Sequence, residues 1–304
     1  MRNISKNSGV VVPMITPMTA DGKLDILSTT RLLEFLIAAG VNGIFIMGTT
    51  GEGNSIPGNL RQELVEHTIT QCKNRVKIYA GIGDSYPIEK EIEAANKFFK
   101  AGGDVIVSRP PVESTPAEIL QWYQRLLEGI NGPLILYNMP AISKVSIPLE
   151  VVNELIGHPR LAGIKDSENN EARLKELMQR FGGRPDFSIL IGVGGLMEEG
   201  LRLGADGIVP SVGNLIPDIC CDFIFAAYRS NWDAVKDAFA KMNSVTALYQ
   251  KGRAINESLS TLKAAMHCRG LCLPCVLPPL KILSEREIEK IREQMAQLNL
   301  TNGA

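Results

Sequence analysis

The sequence predicts an α/β chain folded as a (β/α)8 (TIM) barrel with a C-terminal helical appendage. Three observations carry this. Short apolar, β-rich runs alternate with amphipathic helical stretches along most of the chain. Several of the runs are apolar throughout, with no alternation, as strands buried on both faces of a parallel sheet are. A weak internal repeat marks the turns: Ala39-Gly40-Val41-Asn42-Gly43-Ile44, Ala101-Gly102-Gly103-Asp104-Val105-Ile106 and Gly204-Ala205-Asp206-Gly207-Ile208. In each a glycine ends a helix where a positive φ is needed, and a strand follows almost at once.

The first strand is expected over Val10–Ile15. The stretch before it, Met1 to Val12, has only a short apolar run leading into Pro13, which reads as a strand and not as a secretory signal. A helix follows over Ile26–Ala39, with Leu32, Leu33, Leu36 and Ile37 on one face and Glu34 pointing away. The further strands are Gly43–Met47, Lys77–Gly81, Val105–Ser108, Leu134–Tyr137, Leu161–Lys165, Ser188–Ile191 and Gly207–Val209. Helical patterns between them include Asn59–Gln71, Ile88–Lys100 and Ala172–Phe181. Eight such units make a closed barrel the natural architecture. A doubly wound sheet is the alternative, but Thr16-Pro17-Met18-Thr19-Ala20 after the first strand is not a dinucleotide-binding glycine loop. The eighth unit ends near Arg229, so residues 1–229 are expected to form the barrel. Residues 230–304 carry helical patterns at Trp232–Gln250, Ser258–Cys268 and Glu285–Leu298 and are expected to pack on the barrel as an appendage.

Composition narrows the function. The 304 residues are 45% hydrophobic and 21% charged, with a net charge of -1, so general disorder and a strong field for nucleic acid or anionic lipid are not expected. No apolar run reaches the ~18 residues of a membrane helix. Six cysteines are too few for a disulfide scaffold at this length, and reduced thiols in a cytoplasmic protein are expected.

In such a barrel, chemistry gathers at the C-terminal ends of the strands. Lys165 closes the apolar strand Leu161-Ala162-Gly163-Ile164. Burial disfavours its ammonium form, and lowering a lysine pKa from ~10.4 toward ~7–8 takes roughly 4 kcal/mol. The neutral amine then attacks a carbonyl and forms an imine. The alternative is a solvated lysine paired with Asp166. Tyr137 closes the preceding strand, where a phenol is a usable proton shuttle; the alternative is a core tyrosine. Gly48-Thr49-Thr50-Gly51-Glu52 follows the second strand, and its hydroxyls and backbone N–H groups suit a small carboxylate. It lacks the lysine of a phosphate-binding loop, and a plain turn is the alternative.

Gly-Thr-Thr-Gly-Glu, then Tyr-Asn-Met-Pro, then Gly-Ile-Lys-Asp-Ser, in this order, resembles the dihydrodipicolinate synthase / N-acetylneuraminate lyase family, from about Val11 to at least Val212 and more loosely to Leu283. The resemblance implies a barrel with C-terminal helices that forms a Schiff base with pyruvate or another 2-oxo acid. It implies no metal or other cofactor and a homotetramer built from dimers. It makes Lys165 the imine-forming residue, Tyr137 the proton donor and acceptor, and Thr49 a relay hydroxyl. Thr50 and the backbone around Gly48 would bind the carboxylate. Val209 falls where a strand-eight carbonyl lines the site. Ser167 and Ser211 match positions where the sialate lyases carry hydroxyls.

Three departures bear on the reaction. Dihydrodipicolinate synthases carry an Arg two positions after Tyr-Asn-x-Pro, where this chain has Ile142. Sialate lyases have an Asp-Glu pair after strand seven, where this chain has glycines from Gly192 to Gly195 around Val193. The family's tyrosine in the loop after strand four is missing from Ser108-Arg109-Pro110-Pro111-Val112-Glu113, which leaves Arg109 as a binder of carboxylate or hydroxyl, or else as a surface or interface ion pair. The expected reaction is reversible cleavage of a 2-oxo-3-deoxy sugar acid, or a related 4-hydroxy-2-oxo acid, to pyruvate and an aldehyde, with Gly192, Ser167 and Ser211 among the substrate-binding positions. The alternatives are a dihydrodipicolinate synthase-like or N-acetylneuraminate lyase-like enzyme using the same imine, and a catalytically silent ligand-binding barrel. The proline-stiffened loop at 109–112 is expected at a dimer contact. Cys268-x3-Cys272-x2-Cys275 has the spacing of a radical-enzyme iron–sulfur motif, but it lies after all eight units. It reads as buried or interface thiols, with a cluster or a zinc site as the alternatives.

Overall fold

Eight parallel strands close a barrel in sequence order in the computed structural model. The model describes residues 7–82 and 87–300. The N-terminal stretch read from the sequence as leading into a strand therefore lies in part, residues 1–6, outside the described residues. The strands are β1 (Gly9–Pro13), β2 (Gly43–Ile46), β3 (Lys77–Gly81), β4 (Val105–Ser108), β5 (Leu134–Asn138), β6 (Leu161–Asp166), β7 (Ser188–Ile191) and β8 (Gly207–Ile208). The helices between them are α1 (Ile26–Ala38), α2 (Gly58–Cys72), α3 (Ile88–Ala101), α4 (Pro116–Gly129), α5 (Pro140–Ser143), α6 (Leu149–Leu155), α7 (Glu171–Phe181) and α8 (Met197–Arg202). After β8 come α9 (Pro217–Tyr228), α10 (Trp232–Gln250), α11 (Ile255–Cys268) and α12 (Glu285–Gln297).

The repeat behaves as its glycines require. Gly40, Gly102 and Gly204 have φ of 83°, 105° and 94°, and β2, β4 and β8 each begin three residues later. A side chain at those angles would collide with its own backbone, so glycine ends each helix at lowest cost.

The described chain divides into two compact units: one holds Lys77–Pro210 with the start of β1, the other Val12–Val76 with the chain from Ser211 onward. In the first unit the strands are almost wholly buried, led by Ile106, Leu134, Ile135, Leu136, Ile164 and Ile189. The β5–β6 register sets Tyr137 opposite Lys165 and Asn138 opposite Asp166. In the second unit the Met14 N–H donates to the Phe45 carbonyl at 2.9 Å. The Asn214 amide accepts from the Ile15 N–H at 3.0 Å and donates to the Pro13 carbonyl at 2.9 Å. Leu32, Leu33 and Leu36 of α1, Met242 of α10, and Leu262 and Met266 of α11 are buried there. No helix among the described residues is long and apolar enough to cross a membrane.

Candidate active site

Lys165 and Tyr137 meet in the first unit. The Lys165 Nζ lies 3.9 Å from the centroid of the Tyr137 ring, and each residue is only 5% exposed. Burial lowers the lysine pKa below its ordinary value. The Tyr137 phenol, as a charge and as a hydrogen-bond partner, pulls it back up, and the Arg109 charge pushes it down further. An amine in this setting gives up its proton more readily than a surface lysine, which a carbonyl nucleophile requires. Lys165 is therefore not the solvated lysine of the alternative reading. Asp166 faces another partner, with its Oδ2 accepting from the Arg173 Nε at 2.8 Å.

Arg109, directly after β4, is 6% exposed, and its Cζ lies 5.9 Å from the Tyr137 ring centroid. Its guanidinium is therefore turned inward beside the pair, while Val112, three residues on, is 52% exposed. Gly192 is pressed against the same cluster. A Cβ there would fall 2.1 Å from the Ser167 Oγ and 3.0 Å from the Lys165 Cε. The Gly192 N–H donates to the Asp166 carbonyl at 2.7 Å, and the Ser167 N–H to the Asn138 carbonyl at 2.9 Å. The first unit thus brings Lys165, Tyr137, Arg109, Ser167 and Gly192 together. Val209, just after β8, is buried and donates its N–H to the Ile191 carbonyl at 2.8 Å.

A polar network that the sequence alone did not reveal braces this cluster. The Asn138 Nδ2 donates to Asp166 Oδ2 and to Glu168 Oε2, each at 3.1 Å, while its Oδ1 accepts from the Ile147 N–H at 2.9 Å. Ser146 donates to Glu168 Oε2 at 2.5 Å, and Arg173 reaches both carboxylates. A signal for it was present. Asn138 and Asp166 each directly follow a site residue, so a register that pairs Tyr137 with Lys165 must pair them too.

The second unit holds Gly48, Thr49 and Thr50 on the loop after β2. Thr49 and Thr50 are half-buried and Gly48 is buried. The loop turns sharply: Met47 and Glu52 have φ of 57° and 58°, and the Gly53 N–H donates to the Gly48 carbonyl at 3.0 Å. Ser211, in the same unit, shares a hydrogen bond of 2.7 Å with the Tyr249 hydroxyl.

The cysteine motif at the end of α11 shows no convergence. Cys268 Sγ donates to the Ile288 carbonyl at 3.9 Å, and Cys272 Sγ to the Lys263 carbonyl at 4.0 Å. Burial pushes the Cys272 thiol up to about 12. No group of three His, Cys, Asp or Glu side chains among the described residues is placed to hold a metal ion.

Residues 6–298 match the model of the dihydrodipicolinate synthetase family. The chain belongs to that family. It is a class I aldolase-type enzyme, a carbon–carbon lyase. Among curated family members, a 4-hydroxy-tetrahydrodipicolinate synthase of Pseudomonas aeruginosa is 29% identical, over 95% of this chain and 98% of its own. The putative 2-dehydro-3-deoxy-D-gluconate aldolase YagE of Escherichia coli is 27% identical, over 96% of this chain and 97% of its own. The solved dihydrodipicolinate synthase of Bacteroides thetaiotaomicron superposes with a TM-score of 0.90 at 31% identity, covering 95% of this chain and 98% of that one. The YagE structure in complex with pyruvate gives 0.89 at 26% identity, covering 96% and 99%.

Proposed function

We propose that this family member reversibly cleaves a 2-oxo-3-deoxy sugar acid, or a related 4-hydroxy-2-oxo acid, to pyruvate and an aldehyde. The observation that carries the reading is the buried Lys165 amine held 3.9 Å from the Tyr137 ring. The neutral amine attacks the C2 carbonyl of the 2-oxo acid, water leaves, and an imine forms. Tyr137 takes the proton of the C4 hydroxyl as it passes its own on through Thr49, the C3–C4 bond breaks, and the electron pair of that bond enters the protonated imine to give an enamine. The aldehyde departs, C3 is protonated, and hydrolysis returns pyruvate and free Lys165. In the synthetic direction the enamine carbon attacks the aldehyde and Tyr137 protonates the new alkoxide.

The other roles complete the proposal. Thr49 relays the proton to and from Tyr137, and Thr50 with the backbone at Gly48 binds the 2-oxo acid carboxylate. The Val209 carbonyl, Ser167, Ser211 and Gly192 line the substrate, and Arg109 binds a carboxylate or hydroxyl on it. The enzyme works without a metal, in the cytoplasm, as a homotetramer of barrels (residues 1–229) with helical appendages (230–304).

Ile142 in place of an arginine and the glycines at 192–195 favour a sugar-acid aldolase, as does similarity to the aldolase YagE. A synthase outcome through the same imine is the second reading, favoured by the several relatives named 4-hydroxy-tetrahydrodipicolinate synthase. A panel of 2-oxo-3-deoxy acids, assayed for pyruvate release beside a synthase assay, separates the two. Pyruvate release from at least one panel member is the expected result, and synthase activity alone would overturn the aldolase reading.

A further inference from the structure

Glu52 closes the Gly48–Glu52 loop, and its side chain is turned away from solvent. The Glu52 side chain is 3% exposed, and its carboxylate forms an ion pair with the ammonium of Lys263, whose side chain is 0% exposed. The second carboxylate oxygen, Oε2, accepts from the Leu277 N–H at 2.7 Å. One oxygen is therefore held by α11 and the other by the segment that follows it, 211 and 225 residues along the chain. The backbone of Glu52 sits at φ 58°, in the left-handed region where a non-glycine residue persists only if its surroundings hold it there. Its N–H donates to the Thr49 carbonyl at 3.1 Å, so the anchored residue is tied directly to the threonine turn.

A fully buried ion pair is a poor source of stability, because desolvation consumes most of the attraction and an apolar pair of similar volume often serves as well. What the pair does supply is direction. The ammonium and the Leu277 N–H reach different oxygens from different segments, which fixes the carboxylate and, through it, the turn.

We propose that Lys263 is a positioning residue for the carboxylate-binding loop and acts through Glu52. The proposal rests on the reading of Thr49 and Thr50 given above. It assigns a role to the C-terminal helices, in that α11 sets the geometry with which Thr50 and the backbone around Gly48 receive the 2-oxo acid carboxylate. Both Glu52 oxygens are taken up by Lys263 and Leu277, so loss of the pair weakens capture of the 2-oxo acid and leaves the amine chemistry of Lys165 in place.

The test uses the full chain with Lys263→Met and Glu52→Gln combined, which removes both charges and keeps the shape. Lys165 is trapped with borohydride at increasing pyruvate concentrations, at a temperature where circular dichroism shows the variant folded. The half-saturating pyruvate concentration is expected to rise about tenfold or more while the limiting adduct stays at one per chain, since small misplacements of binding groups cost affinity on that scale. A half-saturating concentration within about twofold of wild type would overturn the proposal, because a merely structural pair changes stability and not capture. If the double variant does not fold, Glu52→Gln alone, which keeps an acceptor for the Leu277 N–H, is read against the same thresholds. Absence of any adduct in the wild-type protein would refute the imine reading instead. Hydrogen exchange of the peptide spanning residues 48–53 then still decides the positioning role: faster exchange in the variants supports it, and unchanged protection overturns it.

Discussion

The Lys165 amine and the Tyr137 phenol stand at paired positions on adjacent strands, 3.9 Å from nitrogen to ring centroid, and both are sealed from solvent. The Tyr137 phenol thereby bears on the proton state of Lys165. Burial is the largest influence on Lys165 and lowers its pKa. In linkage terms, the folded chain sheds this proton at a lower pH than the unfolded chain does. Stability attributable to Lys165 therefore rises with pH between the folded value and the ordinary 10.5. The rate of adduct formation with pyruvate should climb with pH along a curve whose midpoint lies below 10.5, and level off above it. A midpoint at or above that value would show that burial does not outweigh the opposing pull of the Tyr137 phenol. Lys165→Met should abolish the adduct and unfold at the same or a higher temperature near neutral pH, because a desolvated amine has been removed.

Tyr137→Phe keeps the ring against Lys165 and deletes the hydroxyl. Imine formation with pyruvate should survive, whereas aldol cleavage should fall by about 10²–10⁴-fold, the usual contribution of a positioned acid–base group. Equal loss of both steps would mean that the phenol serves imine formation instead.

A methyl group at Gly192 would meet the Ser167 Oγ at 2.1 Å and the Lys165 Cε at 3.0 Å, so these side chains must shift to admit it. Gly192→Ala should displace the lysine stem and slow adduct formation by about tenfold or more, as a shifted nucleophile does. Adding Ser167→Gly opens the tighter of the two contacts and should restore part of the rate, a coupling that a double-mutant cycle detects. Simple additivity of the two changes would contradict the packing account.

Arg109→Ala removes a charge that disfavours the Lys165 ammonium. The midpoint for adduct formation should therefore move up. Turnover should drop with the limiting adduct intact, as expected of a group that binds substrate and does not react with it. Unchanged turnover together with an unmoved midpoint would return Arg109 to a packing role.

Arg173 is the cation of the bracing network, with side-chain exposures of 10% for Arg173 and 7% for Asp166. Arg173→Met leaves the buried Asp166 carboxylate without its cation and should cost about 3–5 kcal/mol in urea unfolding. A loss below about 1 kcal/mol, the level of surface pairs, would show that the network is solvated.

Much of this was legible because the relevant residues interrupt a pattern. Lys165 and Tyr137 stand out as polar ends of apolar strands, and the repeated glycines announce where helices stop. The strand limits were harder to read. β5 and β6 run one residue further than expected, through Asn138 and Asp166, because a polar residue after an apolar run looks like the start of a loop. In this fold those residues still hold ladder positions and carry the bracing network. β1 begins at Gly9 and ends at Pro13, earlier than the apolar run through Ile15 suggested. The backbone at 14 and 15 is satisfied by Phe45 and Asn214. The Glu52–Lys263 pair left no local trace, since each residue alone is an ordinary charge and only the tertiary fold brings them together across 211 positions.

A single trapping experiment tests Lys165 as the imine-forming residue. The intact protein is incubated with pyruvate and borohydride, digested, and mapped by mass spectrometry. One reduced pyruvyl adduct per chain, located on Lys165, is expected. No adduct, or an adduct on any other lysine, would contradict it.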